Sequence, residues 1–172
     1  IVGDLGGSLA SAQWIVSGYT LVFATFLLSG GAWADRIGSR AAFLIGLGVF
    51  GLASAACAAA PSMEALIAAR AAQGLGAALL MPCSLALIVH TFPAGPERRG
   101  ALAAWGGISA IGLSIGPVLG GALVDSVGWR FIFLVNLPLA VPAALAIVAY
   151  VTETPRHRHP FDLPGQVLVV LA

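Results

Sequence analysis

The sequence predicts an all-α, polytopic transmembrane helix bundle, and three observations carry that expectation. Hydrophobic residues make up 59% of the 172 and charged residues 9%, whereas an ordinary soluble domain is about 25% charged. The few charges cluster between apolar runs instead of being spread over a would-be surface. The runs themselves reach the roughly 20 residues that a helix needs to cross the hydrocarbon.

Taken in order, residues 1–10 are rich in glycine and serine, and a first apolar run covers 13–34. Trp14 and Trp33 lie near its ends, where an amphipathic ring suits the membrane interface. A second run, 41–60, follows Asp35 to Arg40 and stops at Pro61-Ser62. The third, 63–90, contains Pro82, which removes one backbone hydrogen bond and kinks a helix that neighbouring helices can still satisfy. A loop over 91–99 carries Pro93, Pro96 and the pair Arg98-Arg99, ahead of a glycine-rich fourth run at 100–124. The fifth run, 131–151, comes after the segment Asp125 to Arg130. Residues 1–152 therefore read as one bundle, 153–163 as a linker and 164–172 as the opening of another membrane helix. An initial Ile1 and a closing apolar rise lead us to expect a piece of a longer chain.

Loop charge sets the topology. Arg36, Arg40, Arg98, Arg99, Arg156 and Arg158 fall on one side, Arg130 on the other and Arg70 within a span. By the positive-inside rule the first side, with loops 35–40, 91–99 and 153–163, is cytoplasmic in a multi-pass protein of the inner (plasma) membrane. With no lysine and a formal net charge of +1, the chain has no basic tract able to neutralise successive phosphates, so nucleic acid is not an expected partner. Cys57 and Cys83 lie in separate runs without a CxxC or a nearby histidine pair, so neither a metal site nor a disulfide framework is expected. His90 stands near a span end, and His157 and His159 stand in the linker. No nucleophile, base and orienter come together, so an enzyme is not expected.

An internal repeat organises the bundle. Gly30 to Arg40 aligns with Gly120 to Arg130 at an offset of 90 residues, matching the acid, the glycines and the final arginine. Three spans separate the copies, which puts them on opposite faces of the membrane. Inverted-topology repeats of this kind build alternating-access transporters.

Arg70 is the most informative single residue, since it lies well inside the third run. An arginine near the bilayer centre costs about 2.5–3.5 kcal/mol on insertion scales, so it is expected to face the bundle interior with a partner. Gln73, Gly74 and Ala77 share its helix face at i+3, i+4 and i+7. In the fourth run Gly112, Gly116 and Gly120, beside Pro117 and Gly121, leave one face nearly without side chains, a groove for close backbone approach. Tyr19, Gln73 and Trp105 are candidate lining residues of a central cavity. Asp35 is placed to contact an arginine or a helix N-terminus in one conformation and release it in another.

These residues resemble the major facilitator superfamily, specifically its fourteen-helix drug:proton antiporter branch. Gly31 to Arg40 is similar to the loop motif between helices two and three. By that resemblance Gly31, Asp35, Arg36, Gly38 and Arg40 form a conformational gate. Ser39 stands where the family usually has a basic residue. Leu66 to Ala78 resembles the helix-four motif, whose arginine is implicated in proton coupling, here Arg70. Gly112, Gly116, Pro117, Gly120 and Gly121 resemble the antiporter motif of helix five. Gln13-Trp14-Ile15-Val16 and Trp129 to Pro138 resemble the drug-exporter branch in particular. The mapping implies the amino-terminal half of the fold, an inverted 3+3 repeat that lacks helix one and the membrane-embedded acid commonly found there.

The resemblance implies export of drugs or other amphipathic small molecules in exchange for protons. The proton gradient supplies the energy and no cofactor is expected; the partners are the substrate, protons, the bilayer and the remainder of the chain. A metabolite or sugar uniporter or symporter of the same fold is the alternative, and Glu153-Thr154-Pro155-Arg156 faintly resembles a sugar-porter signature. However, Phe161 to Gly165 starts the next helix too soon for a large central domain. A non-transporting membrane sensor or scaffold is the third reading.

Overall fold

The computed structural model describes residues 1–153. The expected linker beyond Glu153, with Arg156, His157, Arg158 and His159, and the expected helix start at 164–172 lie outside the described residues. The elements are α1 Val2–Leu5, α2 Leu9–Ile37, α3 Ser39–Ala59, α4 Met63–Thr91, α5 Pro96–Val127, α6 Arg130–Leu134 and α7 Asn136–Tyr150. Among the described residues, five spans are long and apolar enough to cross a membrane, with α6 and α7 counted as one.

Local chemistry explains where each helix starts. Ser8 caps α2 by accepting from the Ser11 amide at 3.2 Å while the Ser11 hydroxyl accepts from the Ser8 amide at 2.7 Å, a reciprocal cap that satisfies two amide donors. Ser62 does the same service for α4, accepting from the Ala65 amide at 3.2 Å. Pro96 opens α5 at a position where its missing N–H costs nothing. These starts carry α2 and α5 back to residues 9 and 96 rather than 13 and 100, and both helices run on to glycine corners, ending at 37 and 127 rather than 34 and 124. In the last span, Pro138 has no N–H to offer Leu134, and the hydrogen-bond ladder lapses at Val135. Val135 keeps helical angles (φ −60°, ψ −23°), so the span stays continuous.

Between α2 and α3 the chain turns at Gly38 alone, with φ 96° and ψ 135°. Between α5 and α6 it turns at Gly128, with φ 94° and ψ 160°. Both conformations favour glycine because a Cβ would clash there. The two glycines are 90 residues apart in sequence, so the repeat seen in the residues is also a repeat of backbone geometry.

The helix α4 is central and packs along both α2 and α3. One apolar cluster, including Ile15, Cys57, Leu66, Trp129 and Phe133, joins the ends of α2, α3, α4 and α6 on the side that the arginine count makes external. Ala34, Ala42 and Cys83 form a second cluster at the opposite end. The helices α5 and α7 contain no buried residue. The short α1 was not foreseen: Leu5 packs on the first cluster and the Asp4 carboxylate accepts from the Trp129 indole N–H at 3.0 Å.

Close backbone contact occurs at glycines other than those of the fourth run. A Cβ on Gly74 would stand 2.6 Å from the Tyr19 carbonyl oxygen, and one on Gly76 2.6 Å from the Phe50 amide nitrogen. No atom lies within 4 Å of the corresponding point at Gly112, Gly116, Gly120 or Gly121 among the described residues. Gly30 of α2 and Gly46 of α3 meet α4 as closely, a Cβ there standing 2.5 Å from the Ala78 carbonyl oxygen and 2.9 Å from Leu79 Cβ, respectively. Glycines on all three helices thus let α2 and α3 approach α4, whereas the α5 stripe makes no close approach among the described residues.

Candidate functional site

Arg70 projects from α4 into the cleft between α2 and α3. It stands seven residues after Met63, about 10 Å along the helix at 1.5 Å per residue. That puts it in the outer third of the 29-residue α4 rather than near its middle, because the helix is longer than the hydrocarbon alone requires.

Two acceptors and two aromatic rings surround the guanidinium. Its Nε donates to the Ile15 carbonyl of α2 at 3.0 Å, and its Nη1 donates to Gln73 Oε1 at 2.6 Å. Its carbon lies 4.2 Å from the centre of the Tyr19 ring and 5.8 Å from that of Phe133. Hydrogen bonds to a charged group contribute about 1.5–3 kcal/mol each, and a desolvated cation–π contact about 2. Together they are sufficient to offset the cost of placing the cation within the span. Gln73 is 1% exposed and passes the contact on, its Nε2 donating to Ser54 Oγ at 2.7 Å. Asn136 Nδ2 donates to the same oxygen at 3.3 Å. A polar relay therefore runs from Arg70 through Gln73 and Ser54 to Asn136 and touches α2, α3, α4 and α7.

Tyr19 has a second surface. With Phe23, Phe43, Met81, Ser84 and Trp105 it lines a shallow, open cavity of about 340 Å³ on the cytoplasmic side of Arg70. The Trp105 indole N–H donates to Ser84 Oγ at 3.2 Å, which fixes the ring on the cavity wall. Of the three candidate lining residues, Tyr19 and Trp105 thus meet on one cavity, whereas Gln73 is committed to the relay.

The expected gate lies at the other end of α2. Asp35 and Arg36 are exposed in its last turn, Gly31 is partly covered and Gly38 makes the corner. Arg40, at the start of α3, reaches α7: its Nη2 donates to the Val148 carbonyl at 2.8 Å and its Nε to Ile147 at 3.5 Å. Ser39 is buried at 6% exposure, so a long basic side chain there would have to be desolvated or displaced. Gly112, Gly116, Pro117, Gly120 and Gly121 lie along α5, away from the relay and the cavity.

Ser54 is not singled out by the sequence, and Phe133 and Asn136 enter only as parts of longer motifs. Asn136 is the chain's single asparagine, and a lone carboxamide within a span is a signal that points to a partner. Ser54, one hydroxyl in an alanine-rich run, carries no comparable mark.

Residues 1–169 match the family model of the Major Facilitator Superfamily. The chain belongs to the major facilitator superfamily. Members of this superfamily are integral membrane transporters rather than enzymes, in keeping with the five spans. The chain is 44% identical over 169 residues to the methylenomycin A resistance protein of Streptomyces coelicolor, which covers 98% of this chain and 36% of that relative. It is 45% identical over 161 residues to the multidrug resistance protein Stp of Mycobacterium tuberculosis, 93% of this chain and 30% of Stp. It is 43% identical over 168 residues to the cephamycin export protein CmcT of Amycolatopsis lactamdurans, 96% and 35% of the two chains. This superfamily member therefore spans about a third of the length of these curated relatives. Its fold is also that of a solved peptide transporter, POT (an E310Q mutant in complex with sulfate), with a TM-score of 0.73 at 20% identity over 97% of this chain and 36% of that one.

Proposed function

We propose that the chain forms the coupling half of a proton-driven exporter of drugs or other amphipathic small molecules, working by alternating access. The observation that carries this reading is the environment of Arg70. Its Nε and one N–H of Nη1 are hydrogen-bonded, while Nη2 has no hydrogen-bond partner among the described residues. A guanidinium held this way in a membrane span is a ready partner for a carboxylate brought by the remainder of the transporter. Protonation of that acid would remove the attraction, and the resulting difference in affinity between two conformations is what drives the cycle.

Tyr19 connects this charge to cargo, since one ring packs on Arg70 and also lines the aromatic cavity. Cargo and proton would therefore act on the same side chain. The names of the relatives, a methylenomycin A resistance protein, a multidrug resistance protein and a cephamycin export protein, support amphipathic cargo moving outward. We assign Gly31, Asp35, Arg36, Gly38 and Arg40 to the conformational gate. The open glycine stripe at Gly112, Gly116, Pro117, Gly120 and Gly121 is assigned to close packing against the remainder of the chain.

The test replaces Arg70 with Ala and with Lys in the full-length protein and follows drug-induced pH change in energised vesicles. At matched expression, Arg70→Ala should abolish the proton signal and Arg70→Lys should leave a reduced one. Proton-coupled efflux that survives Arg70→Ala unchanged would overturn the reading, and a wild-type protein with no drug-dependent proton movement would point to a uniporter or a scaffold.

A further inference from the structure

The relay has a direction, and Ser54 sets it. A serine hydroxyl has one proton and two acceptor lone pairs. Ser54 Oγ donates its proton to the Phe50 carbonyl at 2.7 Å, one turn back in α3. It is then left as an acceptor, and it takes Gln73 Nε2 at 2.7 Å and Asn136 Nδ2 at 3.3 Å. With its nitrogen held in this way, the Gln73 amide must turn its oxygen to the opposite side, where it meets Arg70 Nη1 at 2.6 Å. Were the amide reversed, its NH2 would oppose the N–H groups of the guanidinium and the cation would lose its acceptor. Ser54 is fully buried and Gln73 is 1% exposed, so water cannot substitute for either partner.

The other end of the relay is anchored in the last span. Asn136 begins α7 directly after the lapse in the ladder at Val135, and Phe133, just before it, faces Arg70 at 5.8 Å. The last span thus touches the site on both sides of its weakest backbone point.

We infer that Ser54 and Asn136 are positioning residues for Arg70. Ser54 fixes the Gln73 amide so that its oxygen orients the guanidinium, and Asn136 ties that orientation to the position of α7. This inference rests on the proposed coupling role of Arg70. Among the described residues, the titratable groups facing Arg70 are Tyr19 from α2 and Cys57 from α3; α6 and α7 contribute Phe133 and Asn136, which do not titrate.

The experiment measures the pH dependence of drug–proton exchange by the full-length transporter in proteoliposomes, with drug affinity measured separately in detergent. Ser54→Ala should move the pH of half-maximal exchange by about one unit or more while drug affinity changes less than about threefold, and Ser54→Thr, which keeps the hydroxyl, should restore the wild-type profile. Asn136→Ala should shift the profile in the same direction by a smaller amount, and it decides the matter if Ser54→Ala fails to reach the membrane. A wild-type pH profile in the measured alanine variant, or equal loss of exchange in Ser54→Ala and Ser54→Thr with no shift, would overturn the inference. If Arg70→Ala abolishes coupling and the Ser54 and Asn136 variants keep the native profile, the positioning roles fail and the role of Arg70 stands. If Arg70→Ala leaves coupling intact, the role of Arg70 fails first.

Discussion

Arg40 and Arg130 cap each other's repeat. Arg40, at the start of α3, donates from Nη2 to the Val148 carbonyl in the last turn of α7 at 2.8 Å, and Arg130, at the start of α6, donates from Nη2 to the Ala60 carbonyl that ends α3 at 3.3 Å. The arginines are 90 residues apart, the same offset that relates Gly38 to Gly128. Each therefore follows a glycine corner by two residues and crosses to the C-terminus of the helix led by the other. A cation at the negative end of a helix dipole, bonded to carbonyls that have no intrahelical donor, is favourable at both sites.

The caps act at opposite ends of the same helix pair. Removing one is expected to loosen one terminus and leave the other intact. At about 1 kcal/mol for such a contact, Arg40→Ala should raise amide hydrogen exchange in the last turn of α7 about fivefold and leave the last turn of α3 unchanged. Arg130→Ala should do the reverse. Uniform exchange across both termini in either variant would count against separate caps.

At Gly76 the backbones of α3 and α4 touch, and a methyl group has no room: a Cβ would lie 2.6 Å from the Phe50 amide nitrogen and 2.9 Å from the Gly46 carbonyl oxygen. Overpacking of this kind costs about 1–3 kcal/mol. Gly76→Ala should lower the melting temperature of the detergent-solubilised protein, measured by intrinsic fluorescence. Gly48→Ala, where no atom lies within 4 Å of the added carbon, should leave it unchanged or slightly higher because alanine is the better helix former.

Tyr19 supplies a ring face to Arg70 and a wall to the cavity. Phenylalanine keeps both and leucine keeps only bulk. Tyr19→Phe should retain drug efflux within about twofold, whereas Tyr19→Leu, losing about 2 kcal/mol of cation–π attraction, should reduce it about thirtyfold. Equal efflux from the two variants would separate the ring from the coupling.

Most of the bundle was legible from the residues, because the bilayer imposes a length and a polarity on every span. The runs located the helices, with errors at their ends wherever a start signal such as the Ser8 cap or Pro96 at the first position, or a glycine corner, carried a helix beyond its apolar stretch. Arg70 and Gln73 were legible as well, since polar groups within a span need partners. Ser54 and Phe133 were not. A serine in an alanine-rich helix and a phenylalanine in an apolar one look like many others until a neighbouring helix brings a donor or a cation to them.

The residues by themselves determined the five spans, the inverted pair of glycine corners and the presence of a charge that must be satisfied inside the membrane. The tertiary structure decided which groups satisfy it, that close approach occurs at Gly30, Gly46, Gly74 and Gly76 instead of along α5, and that Arg40 and Arg130 cap one another's repeats. The physical reason is that spacing fixes which residues share a helix face. Which faces meet depends on the rotation and axial register of packed helices, and those are set by all the contacts of the bundle together.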